Sequence, residues 1–154
     1  DDLPPIEADA ARLRQILDNL VSNAIKFTPP GGHIRVGARL VWDEAGQVAT
    51  HCALWVSDSG IGIPPAEQTN IWERFYRSTN PPAGEAGGLG VGLYIVKALV
   101  EAHGGHVWLE SAPGAGSTFT ALLPVKRAGG AGAHPATPSP STRVPLPLTS
   151  QRQK

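Results

Sequence analysis

The spacing of the apolar residues changes once along the first third of the chain, and this change constrains the fold more than any other feature. Up to residue 27 they recur every three or four positions, and from residue 34 they alternate with mostly polar neighbours. The turn-forming run Pro29-Pro30-Gly31-Gly32 separates the two patterns. The first pattern is typical of an amphipathic helix and the second of a half-buried strand. A helix stripe must therefore pack against a sheet face.

Further along the chain the same reasoning predicts two more helices. The first helix should begin after Asp9, a good N-cap, and end near Phe27. A short helix is expected over residues 65–75 because Pro65 suits a first turn. Another is expected over residues 90–102, ended by His103-Gly104-Gly105. Its predicted inward-facing residues are Val91, Ile95, Ala98, Leu99 and Ala102.

Strand patterns cover residues 34–42, 50–57, 106–111 and 117–123, joined in two hairpins by Asp43–Gly46 and Ala112–Gly116. Helices and strands in this order favour an α/β (α+β) two-layer sandwich. We expect a mixed, mostly antiparallel sheet packed on one face by about three helices. Residues 78–88 are rich in Gly and Pro and are expected to form a mobile loop.

Composition divides the chain near residue 127. Residues 128–154 are rich in Pro, Ala and Ser and hold few large apolar side chains, so we predict a folded domain over residues 1–127 and a disordered tail over 128–154. Five of the 13 basic residues and none of the 13 acidic ones lie beyond residue 125, so residues 1–125 carry a net charge of −5. This charge disfavours a nucleic-acid surface. No apolar run is long enough to span a membrane.

A polar stripe on the first helix is the first candidate for chemistry. Asn19, Asn23 and Lys26 stand at positions i, i+4 and i+7, so they share one helix face opposite the apolar stripe. A solvated surface explains such a stripe, and so does a site for Mg²⁺ and phosphate. Mg²⁺ in proteins often takes only one or two protein oxygens and completes its shell with water and phosphate. The spacing alone leaves both interpretations open.

Two glycine-containing segments suit a nucleotide. Asp58 follows a strand directly, where its carboxylate could accept a hydrogen bond from an adenine amine, and the glycines of Asp58-Ser-Gly60-Ile-Gly62 permit close approach of a flat ring. Residues 88–93 open a predicted helix, whose N-terminus favours phosphate. Their G-x-G-x-G spacing matches neither a dinucleotide fingerprint nor a P-loop.

Together these segments resemble the ATP-binding domain of bacterial sensor histidine kinases. Residues 19–29 are similar to the N box, 58–63 to the G1 box, 71–77 to the F box and 88–93 to the G2 box. Residues 114–119 are similar to the final glycine-rich motif and Leu123-Pro124 to the closing dipeptide. The resemblance covers residues 3–125. It implies the fold shared with gyrase, the large heat-shock chaperone and a mismatch-repair ATPase.

The resemblance also implies roles. Asn23 would bind Mg²⁺ with support from Asn19, and Lys26 and Arg77, with Arg74 as a weaker candidate, would contact the phosphates of ATP. Asp58 would hold the adenine amine, and Ser117 would lie beside the base. Residues 78–88 would form a lid, with ATP between the helices and this lid. The remaining implied nucleotide contacts are Phe27, Gly60, Gly62, Ile63, Gly88, Gly90, Gly92 and Leu93.

As a whole the resemblance implies transfer of the ATP γ-phosphate to a histidine on a separate, homodimeric helical domain that then serves a response regulator. None of the five histidines lies in the family's phosphoacceptor motif, and Leu89 stands where Thr or Ser is common. The domain is expected in the cytoplasm, with a parent protein that is either soluble or anchored in the inner membrane, and with no membrane or nucleic-acid contact of its own. Two alternatives stay open: a serine kinase or ATPase of the same fold, and a nucleotide-binding sensor module without catalysis.

Overall fold

A computed structural model of the chain describes residues 9–78 and 89–125. Two α-helices and four strands follow one another, with a short 3-10 helix between the second strand and the second helix. Their bounds are α1 Ala10–Phe27, β1 Ile34–Trp42, β2 Ala49–Asp58, the 3-10 helix Asn70–Trp72, α2 Gly92–Ala102, β3 His106–Ser111 and β4 Ser117–Pro124. The predicted tail, nine-tenths of the predicted lid and the candidate residue Gly88 lie outside the described residues.

Helix α1 begins and ends where side chains satisfy its free backbone groups. The carboxylate of Asp9 accepts hydrogen bonds from the backbone N–H groups of Ala11 (2.9 Å) and Arg12 (3.2 Å). At the other end the hydroxyl of Thr28 donates to the carbonyl of Ala24 at 2.6 Å. The predicted apolar stripe is confirmed, since Ile16, Leu20 and Ala24 are buried against the sheet.

The sheet has the strand order β1-β2-β4-β3, and every described pair is antiparallel, which differs from the predicted mixed sheet. Each hairpin supplies two neighbouring strands, and the pairing of β2 with β4 joins the hairpins without a parallel crossover. The register sets Asp58 opposite Ser117 at the end of the two central strands. Two residues far apart in sequence therefore meet at one edge of the sheet.

The segment 65–75 does not form the predicted α-helix. Its backbone makes tight turns with i→i−3 bonds, such as Asn70 N–H to Glu67 O (2.9 Å) and Glu73 N–H to Asn70 O (2.9 Å). The side chain of Gln68 donates to two carbonyls outside the segment, one of them in β3. These tertiary bonds, together with the poor helix formers Thr69 and Asn70, account for the difference.

Helix α2 differs from its prediction in its start and in its buried face. It begins at Gly92 because Gly90, with φ of 69°, lies in the left-handed region. Its fully buried residues are Val96 and Val100, whereas the predicted inward residues Ala98 and Ala102 are exposed. The helix is apolar around most of its circumference, so spacing alone could not identify the side that faces the sheet.

Both helices lie on one face of the sheet and pack against each other, which confirms the two-layer sandwich. The largest fully buried side chains are Ile16, Leu20, Val56, Val96 and Val100. The single cysteine, Cys52, is buried in this core. Among the described residues no helix is both long and apolar enough to cross a membrane.

Candidate nucleotide site

A cavity of about 410 Å³ opens between α1, the start of α2 and the ends of the central strands. It brings together residues from the predicted polar stripe of α1 and from the segments 58–63, 71–77, 88–93 and 114–119, together with Ser78 of the predicted lid. The predicted residues that line it are Asn19, Asn23, Lys26, Phe27, Asp58, Gly62, Ile63, Arg77, Gly90, Gly92, Leu93 and Ser117. Gly60 is not among the lining residues, and a side chain there would collide with the carbonyl of Phe27.

One end of the cavity, which we call the base end, is built around a buried carboxylate. Asp58 is 9% exposed, and its Oδ1 accepts a hydrogen bond from the Gly60 N–H at 2.8 Å. Burial raises the pKa of Asp58, while hydrogen bonds from the backbone N–H groups of Gly60 and Ser117 lower it. The site therefore presents an acceptor within an otherwise apolar wall, which suits a ligand N–H.

The loop after β2, residues 59–63, rests on the turn between β3 and β4. Gly62 has φ of 71°, and a side chain there would collide with the carbonyl of Ala112. The Gly114 N–H donates to Ile61 O at 2.7 Å. The Ile63 N–H donates to the hydroxyl of Ser111 at 2.9 Å. These contacts fix the loop that carries one wall of the cavity.

The opposite end, the phosphate end, is formed by the predicted polar stripe of α1. Asn19 is held in place, because its Nδ2 donates to Gln15 O at 2.8 Å and its Oδ1 faces Gly92 of α2. The side chain of Asn23 makes no hydrogen bond to the described part of the chain. Lys26 extends over the ring of Phe27, with its Nζ 5.3 Å from the ring centroid. Asn23 and Lys26 can thus engage a ligand without breaking protein bonds.

A strained turn closes the phosphate end. The Phe75 N–H donates to Gly90 O at 2.9 Å, which joins the segment 71–77 to the start of α2. Phe75 has φ of 66°, a conformation that costs a non-glycine residue about 1–3 kcal/mol. Arg74 lies over the exposed Phe75 ring at 4.6 Å, whereas Arg77 lines the cavity. The strained turn thus separates the two arginines.

Sequence reasoning missed several residues of the cavity wall and its support. Ile61, Pro64 and Leu89 lie within segments that the sequence had singled out, so their neighbours were the available signal. The misassigned helix concealed Glu67, and no motif pointed to Gln68 or Ser111. The other lining residues without a predicted role also lie in segments that the sequence had singled out, namely Ser22, Ile71, Tyr76, Ser78, Val91 and Phe119.

The donor set decides whether a metal ion fits. The described residues include no group of three or more His, Cys, Asp or Glu side chains that could hold a metal by themselves. Mg²⁺, however, commonly uses one or two protein oxygens and completes its octahedron with phosphate and water. The amide oxygen of Asn23 in the cavity wall fits that requirement, provided that a phosphate-bearing ligand supplies the rest.

Comparison with known proteins agrees with this geometry. Residues 8–127 match the family model described as "Histidine kinase-, DNA gyrase B-, and HSP90-like ATPase". The circadian input-output histidine kinase CikA of Synechococcus elongatus is 46% identical over 117 residues, which are 76% of this chain and 15% of CikA. The chain spans between 15% and 31% of the length of the curated relatives that it matches.

Solved structures of sensor histidine kinases are also similar to this chain. The mycobacterial sensor histidine kinase MprB is 35% identical, with a TM-score of 0.64, over 79% of this chain and 77% of the other. Full-length ShkA in complex with AMPPNP is also 35% identical, with a TM-score of 0.68, over 82% of this chain and 24% of that protein. The chain is thus similar to these proteins both in its sequence motifs and in its backbone fold.

Proposed function

Because this chain belongs to the family of histidine kinase-, DNA gyrase B- and HSP90-like ATPases, and within it is an ATP-binding domain of the sensor histidine kinase type, we propose that it phosphorylates a histidine on a separate domain. The observation that carries the proposal is the joint presence of Asn23, Lys26, Asp58 and Ser117 around one cavity. No phosphoacceptor motif surrounds any of its five histidines. The acceptor therefore comes from elsewhere.

The two ends of the cavity bind different parts of ATP. At the base end Asp58 accepts a hydrogen bond from the adenine amine, Ser117 lies beside the base, and Phe27 and Ile63 cover it. At the phosphate end Lys26 and Arg77 hold the phosphates and offset the charge that develops during transfer. Phosphoryl transfer depends on positioning and electrostatics, and the buried base end and the fixed Asn19 supply that positioning.

We assign Mg²⁺ to the amide oxygen of Asn23, with Asn19 as its support. When bound, the ion would neutralise phosphate charge. The chain needs this help, because residues 1–125 carry a net charge of −5 and no general positive field favours ATP. Lys26 and Arg77 provide the local positive charge from the protein.

The partners follow from the reaction. The acceptor is a histidine on a helical hairpin that forms a homodimer, and a response regulator receives the phosphoryl group. Both the hairpin and this domain act in the cytoplasm. Phe75 and Leu89 are 58% and 79% exposed beside the cavity and provide an apolar surface against which the hairpin could dock.

Phosphotransfer to the supplied hairpin of the parent protein tests the proposal. Labelled phosphate should appear on the hairpin, acid-labile and base-stable as phosphohistidine is, and not on this chain. Transfer should be slow and concentration-dependent, because no tether raises the effective concentration. Asn23→Asp and Lys26→Ala should suppress it, whereas Lys97→Ala, on the exposed face of α2, should not.

Two results would contradict the proposal. An unlabelled hairpin at high concentration, with ATP still bound, would indicate a nucleotide sensor without catalysis. Label on this chain would mean that one of its own histidines is the acceptor.

A further inference from the structure

The hydrogen bonds of the Ser111 hydroxyl determine which atom is the donor in its contact with the Ser117 hydroxyl. Its hydroxyl lies 2.8 Å from Gly116 O, and a carbonyl can only accept, so Ser111 donates its one hydrogen there. The Ile63 N–H donates to the same oxygen at 2.9 Å. The hydroxyl of Ser117 is 3.0 Å away. Because the hydrogen of Ser111 is already used, Ser117 must be the donor in this contact.

This direction determines what Ser117 can offer a ligand. A serine hydroxyl has one hydrogen and two lone pairs. Ser117 directs its hydrogen away from the cavity, to Ser111, and its oxygen then has only lone pairs left. Ser117 is 7% exposed and lines the cavity beside Asp58, which is also an acceptor when ionised. The polar side chains that β2 and β4 contribute to the base end are therefore both acceptors.

We propose that Ser111, which does not line the cavity, is a positioning residue for base specificity: it holds the Ser117 hydroxyl as an acceptor. The inference rests on the proposed placement of adenine at this end. The amine at position 6 of adenine is a donor that suits two acceptors. A 6-oxo purine places a carbonyl oxygen there, and neither Asp58 nor Ser117 can donate to it. Sites built around specific hydrogen bonds reject mismatched ligands strongly.

Gln68 supplies a matched structural control. Its Nε2 donates to Ile63 O at 2.9 Å and to Ser111 O at 3.0 Å, so it fixes the backbone of the same loop and strand. It does not contact either serine hydroxyl. Gln68→Leu should loosen the wall of the cavity without changing the direction of the Ser117 bond.

The test compares ATP with inosine triphosphate, which differs by the 6-oxo group and a proton on N1. The ratio of their dissociation constants is measured by calorimetry with the whole chain. In Ser111→Ala the Ser117 hydroxyl can turn and donate to the 6-oxo group. The preference for ATP over inosine triphosphate, expressed as this ratio, should therefore fall about three- to tenfold, which corresponds to the free energy of one hydrogen bond. Ser111→Thr keeps the hydroxyl and should keep the ratio. Gln68→Leu should weaken both ligands equally.

A double-mutant cycle separates this role from a general disturbance. In a Ser117→Ala background, Ser111→Ala should no longer change the ratio, because no hydroxyl is left to orient. If Ser111→Ala does not fold, Ser117→Ala alone decides: it should weaken ATP more than inosine triphosphate. An unchanged ratio in Ser111→Ala, an equal change in Gln68→Leu, or an effect that persists without Ser117 would overturn the inference. A shifted ratio in a chain that transfers no phosphate would support it and count against the kinase function instead.

Discussion

The two ends of the cavity are built in opposite ways. At the base end Asp58 and Ser117 are buried and are already hydrogen-bonded to neighbouring backbone or side chains. At the phosphate end Asn23 and Lys26 are only partly buried, and Arg77 is exposed. Preorganised groups give specificity because nothing must rearrange on binding. Groups without fixed partners can adjust to a charged ligand that binds together with a metal ion. The base end therefore determines which base is bound, and the phosphate end becomes ordered when the ligand binds.

Removal of the carboxylate of Asp58 is expected to have the largest effect on ligand binding. Asp58→Ala should abolish ATP binding, since a hydrogen bond to a charged group contributes about 1.5–3 kcal/mol, or up to roughly a hundredfold in affinity. Calorimetry with adenosine and with ATP should show the same loss, because both ligands carry the base. Circular dichroism should report an intact fold.

Asp58→Asn is the matched control, because it keeps the shape and removes the charge. Burial raises the pKa of Asp58 above its ordinary value of 3.8, so its contribution to stability is fully present below that value and is lost as pH rises through the folded-state pKa. Near neutral pH, Asp58→Asn should therefore melt higher than the parent chain and still bind ATP poorly. A lower melting temperature would show that Asp58 has a structural role.

A change at the phosphate end should affect only ligands with phosphates. Lys26→Ala should weaken ATP about tenfold, as expected for one partly exposed charged contact, and leave adenosine unchanged. Lys97→Ala removes a lysine that lies outside the cavity wall and should change neither ligand. If Lys26→Ala weakened adenosine as well, the two ends would not be independent.

Much of this arrangement could be predicted from local sequence. The stripe Asn19, Asn23 and Lys26 follows from helical spacing within one element, and Asp58 follows from its position directly after a strand. Such inferences succeed because period and turn chemistry act over a few residues. The apolar face of α1 and the two hairpins were predictable for the same reason.

Contacts between distant segments could not be predicted. Ser111 and Gln68 belong to the site only because the loop 59–63 lies on the β3–β4 turn. The prediction of a helix over 65–75 was wrong because the side chain of Gln68 donates to the carbonyls of Ile63 and Ser111, which a helix through this segment would not place within its reach. The strain at Phe75 depends on its bond to Gly90, which no local pattern encodes. Tertiary bonds override local propensity at these positions.

Acidification should also separate the two ends, with a smaller effect. Protonation of Asp58 removes the acceptor charge, so adenosine affinity should begin to fall at a pH higher than an ordinary aspartate would require. Calorimetry between neutral pH and about pH 4 measures this decline. Affinity that stays constant down to the ordinary aspartate range would mean that another group recognises the base.

Protonation of His51 in acid opposes folding, and this contribution must be separated from that of Asp58. Burial lowers the pKa of His51, on the sheet face away from the helices, below its ordinary value of 6.5. Its contribution to stability is therefore present above 6.5 and is lost as pH falls, because the unfolded chain takes up the proton more readily. His51→Gln should flatten the dependence of the melting temperature on pH.

The smallest effect is expected from deleting residues 128–154. This segment is rich in Pro, Ala and Ser and poor in large apolar residues, so its removal should leave the melting temperature unchanged. It carries Arg143, Arg152 and Lys154 and no acidic residue, so any influence on ligands should be electrostatic. Adenosine affinity should stay the same, and ATP affinity should fall by no more than about twofold, in low salt only, because salt screens exposed charges. A melting temperature several degrees lower would move the domain boundary beyond residue 127, and a loss of adenosine affinity would show that the base end depends on more than the residues that line it.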